Sequence, residues 1–131
     1  METVEKKSVQ ALHLEHRTWM NELQFAEDEL GIYQKRLEAL VADRYDKEMM
    51  VSLEHFQNQF IRQQEVINDL KHRLRRHESR ICQLLAQVQG QDVNRIFAAD
   101  HGKLREDMVQ FRKIFQELKQ HFYHFLAKWS L

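Results

Sequence analysis

The sequence predicts an all-α fold: three long helices packed as an up-down-up, antiparallel, left-handed coiled-coil bundle. Three observations lead there. From Leu53 to Val88, seam residues recur at alternating steps of three and four, an unbroken heptad pattern about five repeats long. The 131 residues include no proline and only three glycines, so almost nothing interrupts a helix. The pattern breaks only near Asp46 and near Gly90, and such short connections join antiparallel neighbours.

The first helix is expected over about residues 3–42, with Val9, Leu12, His16, Trp19, Leu23, Ala26, Leu30, Tyr33, Leu37 and Leu40 as its seam. Asp46 suits the N-cap of the second helix, expected over about 47–89. Gly90 suits a left-handed cap closing that helix, and Asp92 the N-cap of a third, expected over about 92–130. The third seam runs Phe97, His101, Leu104, Met108, Phe111, Phe115, Leu118, Phe122, Phe125 and Trp129. Residues 1–131 therefore read as one domain. With Trp19 on the first seam, the architecture resembles that of a spectrin-type repeat, and the resemblance is one of architecture.

Flanking charges set the register. Parallel first and third helices match Glu15, Glu22 and Glu29 with Arg105, Arg112 and Lys119. Antiparallel second and third helices bring Arg73 to Asp107 and Arg80 to Asp100. Antiparallel first and second helices bring His13 to Glu78. The same register puts His16, His77 and His101 in one layer, between Trp19, Leu74 and Leu104 on one side and Leu12, Ile81 and Phe97 on the other. Gln63 falls alone between Leu30 and Phe115.

Three imidazoles converging on a bundle axis offer one nitrogen each, a set that Zn²⁺ or another transition metal accepts with a fourth position open. Glu15, Glu78 and His13 stand near enough to support such ligands. The plainer alternative is a polar layer that fixes register, its donors and acceptors satisfied among the rings and a trapped water. Beyond that ion no cofactor is expected.

Composition and charge bound the function. Twenty basic residues balance twenty acidic ones, which disfavours a general polyanion binder, although Arg75 and Arg76 sit in a basic run. The single cysteine, Cys82, cannot form an internal disulfide, and it reads as a bystander near the surface. Neither a signal-peptide core nor an apolar run of spanning length is visible, so the expectation is a cytoplasmic protein without a membrane partner. His121 and His124 read as solvated, and His55 and His72 fall off the seam. No nucleophile–base–orienter set or phosphate-cradling loop is visible, so an enzyme is not expected. A second stripe on the first helix (Ala11, Thr18, Phe25, Ile32, Ala39) lies beside Val109 and Tyr123 in this register. It marks a surface for a protein partner or a second copy of the chain. The functional expectation is a protein–protein interaction or scaffolding module, with a three-histidine metal protein as the alternative.

Overall fold

A computed structural model describes residues 2–85 and 90–130, with side chains over 10–84 and 100–130. It contains three helices: α1 (Glu2–Asp43), α2 (Lys47–Leu85) and α3 (Gly90–Trp129). At 42, 39 and 40 residues, each is about 60 Å long at 1.5 Å per residue. All three pairs of helices pack together in an all-α bundle.

The first turn forms where the capping residues require it. Arg44 N–H closes α1 on the Leu40 carbonyl at 3.2 Å. Asp46 then caps α2, its Oδ1 accepting from the Met49 amide at 3.1 Å, with Glu48 favourably placed in the first turn. The two caps expected at the second junction both fall inside α3. Gly90 already belongs to α3, which is under way before Asp92, so neither residue has the capping role its type suggested. Residues 86–89, and the side chains of Val88 and Phe97, lie outside the described residues.

Ion pairs record the helix directions. Glu15–Arg105, Glu22–Arg112 and Glu29–Lys119 close at 2.7, 2.6 and 2.8 Å, their numbers ascending together on α1 and α3. Arg73–Asp107 at 2.6 Å and Arg80–Asp100 at 4.0 Å run in opposite order on α2 and α3. His13–Glu78 and Gln64–Glu27 do the same between α1 and α2. Exposed pairs such as these contribute about 0–1 kcal/mol each, so they select the alignment more than they hold it.

The seams hold it. Every seam residue from His16 to Leu40, Met49 to Ile81 and His101 to Trp129 is buried. Tyr33, Phe56, Phe60, Phe122 and Phe125 form an aromatic cluster near the α1–α2 turn, with ring centroids 5.0–6.2 Å apart. Among the described residues only Lys71 is buried off the seam. Its stem covers the α1–α2 interface while Nζ donates to Gln24 and Glu27 at 2.8 and 2.7 Å. That hydrogen bond in turn holds the Glu27 carboxyl below its ordinary pKa. Gln63 is less well served. Its Oε1 is buried without a hydrogen-bond partner among the described residues, a deficit that costs about 1–3 kcal/mol.

Candidate metal centre

The core is not continuous. The main apolar cluster ends at Trp19, Leu74 and Leu104, and a separate one begins at Ile81 with Leu12 and Leu84 against it. His16, His77 and His101 occupy the gap, each no more than 5% exposed. One comes from each helix, because each seam carries its histidine at the same height. Ring centroids are 5.0 Å apart for His16–His77, 5.1 Å for His16–His101 and 5.7 Å for His77–His101. One ring nitrogen from each lies within 4.8 Å of the others. Trp19 stacks on His101 at 5.1 Å and closes the layer from the main-core side.

Two carboxylates orient two of the rings from outside. Glu78 Oε2 takes the Nδ1 hydrogen of His16 at 2.5 Å, while Oε1 takes that of His13. Glu15 Oε1 accepts from His101 Nε2 and, at 2.7 Å, from Arg105. A carboxylate only accepts, so the partners assign the tautomers: His16 carries its hydrogen on Nδ1 and His101 carries its own on Nε2. The remaining nitrogens, His16 Nε2 and His101 Nδ1, face each other at 3.2 Å. Both present lone pairs. Two species relieve that confrontation, a shared proton or a cation bound by both.

Burial works against a proton on His16 and on His77. It pushes the His16 pKa below its ordinary value, against the opposing pull of Glu78. Burial, helped by the neighbouring imidazoles, pushes His77 down to about 4. At neutral pH His16 and His77 are therefore neutral imidazoles, the form that binds metal. Two nitrogens on one tetrahedral zinc ion stand about 3.3–3.4 Å apart, given Zn–N of about 2.0–2.1 Å. The separation of 3.2 Å found here is close to that. The donor set and its carboxylate supports thus fit a metal ion. A surface cleft of about 180 Å³ reaches His77 between Arg76, Arg80, Asp100 and Lys103, giving solvent a route to the layer.

The supporting carboxylates respond as expected. Burial raises the Glu15 pKa, but hydrogen bonds from Arg105 and His101 outweigh it and leave the carboxyl below its ordinary value. Glu78 supports two histidines at once, a bifurcation that pairwise charge matching does not show. A second group also gathers here: His13, Glu78 and Cys82 bring one ligand atom each within 4.8 Å of one another.

The other singled-out residues lie elsewhere. His55, His72, Arg75, Arg76, His121 and His124 are all exposed, and of these Arg76 lines the cleft that reaches His77. Phe25, Ile32 and Val109 are exposed at 66%, 55% and 56%. Tyr123 is only partly free. Tyr33 donates to Glu29 at 2.9 Å, so the Tyr123 hydroxyl donates to Tyr33 at 2.8 Å, leaving the outer half of its ring to solvent. Among the described residues no helix is long and apolar enough to cross a membrane. Compared with known proteins, the chain matches no family model, no curated protein and no solved structure.

Proposed function

We propose that this protein is a metal-binding helical bundle, a binding protein and not an enzyme, with His16, His77 and His101 as ligands. One observation carries this reading: His16 Nε2 and His101 Nδ1 face each other at 3.2 Å with both tautomers set by carboxylates. Zn²⁺ is the ion to test first, since it accepts three imidazoles and keeps a fourth position for water. The free thiol of Cys82 suits a reducing compartment such as the cytoplasm.

The test is thermal melting of chelator-stripped protein with and without Zn²⁺, alongside elemental analysis. With free Zn²⁺ at 100 times Kd, binding stabilises by about 2.7 kcal/mol. For a domain of this size that raises Tm by about 10 °C. His77→Leu should lose one bound ion and the part of the zinc-dependent shift that ion supplies, while staying helical. An equal zinc response in wild type and His77→Leu would sink the proposal.

A second reading, protein–protein interaction or scaffolding through self-association, is favoured by a different feature. Phe25 and Ile32 stand one heptad apart and exposed on α1, with Val109 and the outer face of Tyr123 exposed on α3. Apolar surface in such a strip is commonly covered by a partner, most simply a second copy across a two-fold axis. The expected solution mass is then that of a dimer, reduced to a monomer by Phe25→Lys with Ile32→Lys. A mass unaffected by the double substitution removes this reading and leaves the metal centre untouched.

A further inference from the structure

We infer that His13, Glu78 and Cys82 form a second cation site at the α1–α2 surface, suited to a borderline or soft divalent ion such as Zn²⁺. It takes none of the three imidazoles of the buried layer. Glu78 and Cys82 are four residues apart on α2, so they share one face a turn apart. His13 reaches them from α1 because the antiparallel alignment sets it opposite Glu78. All three ligand atoms lie within 4.8 Å of one another.

The chemistry of the set selects the ion. Thiolate, imidazole and carboxylate are each zinc ligands, whereas Mg²⁺ and Ca²⁺ take oxygen and do not favour sulfur. His13 and Glu78 are half-buried and Cys82 is exposed, so water can complete a tetrahedron and the ion arrives directly from solvent. On binding, the His13 hydrogen moves from Nδ1 to the outer Nε2, freeing Nδ1 as a ligand. The Cys82 thiol gives its proton to solvent, so one proton leaves per ion bound.

Glu78 links the two places. Its Oε1 faces His13 and its Oε2 holds His16 Nδ1. An ion on Oε1 therefore shares the carboxylate with an imidazole of the buried layer, each using a different oxygen. The buried layer works through the opposite nitrogen of His16, so the two sites are adjacent without competing for an atom.

Cobalt distinguishes them, because a thiolate ligand gives a near-ultraviolet charge-transfer band that imidazoles do not. Co²⁺ titrated into the reduced, metal-free full chain should raise this band to saturation at one ion per chain, without raising the solution mass. Cys82→Ser should abolish the band. His13→Ala should weaken the binding that produces it by more than the roughly 10-fold lost with a supporting partner. His77→Leu should keep the band while total bound cobalt falls by one ion. Cobalt bound without a thiolate band, a band indifferent to His13→Ala, or a cobalt-driven rise in mass would overturn the surface site. Cobalt uptake by His77→Leu equal to wild type would instead count against the buried one.

Discussion

Phe122→Ala should cost about 3–5 kcal/mol, the range for deleting a fully buried aromatic ring. Phe122 has no solvent exposure. Its ring lies 5.0 Å from Tyr33 on α1, 5.4 and 5.1 Å from Phe56 and Phe60 on α2, and 6.1 Å from Phe125 on its own helix. One deletion therefore removes contacts to all three helices and leaves a void walled by rings that cannot turn freely into it. Single domains are stable by about 5–15 kcal/mol, so this is about a fifth or more of the total. Urea unfolding should show the midpoint falling with little change in slope. Val109→Ala, on an exposed position of the same helix, should stay within about 0.5 kcal/mol. If the two substitutions cost the same, the aromatic cluster is not packed as described.

Much of this arrangement was legible in the sequence because heptad spacing reports where Cβ atoms point. The seams predict burial, and Glu22–Arg112 or Arg73–Asp107 follow once the seams are aligned. The histidine layer emerges from the same alignment. What spacing leaves out depends on how side chains reach across a boundary. Lys71 sits off the seam and is buried all the same. Its long stem lets the ammonium emerge beside Glu27 while its methylenes are buried. Cys82 reads as a bystander because its neighbour His13 belongs to another helix, and local spacing does not bring the two together. The two lone pairs of His16 and His101 were hidden for a similar reason. Ring tautomers are set by which carboxylate reaches which nitrogen, and that is a matter of rotamer. Gly90 lies in α3 and not in a cap because glycine tolerates both, and nothing local chooses between them.

Acidification should weaken the metal-free protein between pH 6.5 and 4, and the loss should depend on His77. Burial first, then the neighbouring His16 and His101, bring the His77 pKa down to about 4 from an ordinary 6.5. Asp100 and Glu78 pull it the other way without prevailing. In this window the unfolded chain binds a proton that the folded chain resists, so stability is complete above 6.5 and falls as pH drops toward 4. At about 1.4 kcal/mol per pH unit, His77 accounts for about 2 kcal/mol by pH 5 and about 3 kcal/mol by pH 4. His16 shifts in the same direction and titrates with it as one cluster. Glu15 and Asp107 act lower down. Their folded pKa values lie below the ordinary 4.5 and 3.8, so their contribution is present above those values and is lost only as pH falls through the folded ones. His77→Leu replaces a buried polar ring with an apolar side chain and removes its titration. Between pH 7 and 5 the variant should therefore lose clearly less stability than the wild type when both are metal-free. Saturating Zn²⁺ should raise the wild-type curve at pH 7 and steepen its fall, because protons and metal compete for the same nitrogens. It should raise the variant's curve by less than the wild type's. Parallel pH profiles for the two metal-free proteins would show that His77 is not held neutral in the core, and the buried layer would lose its physical basis.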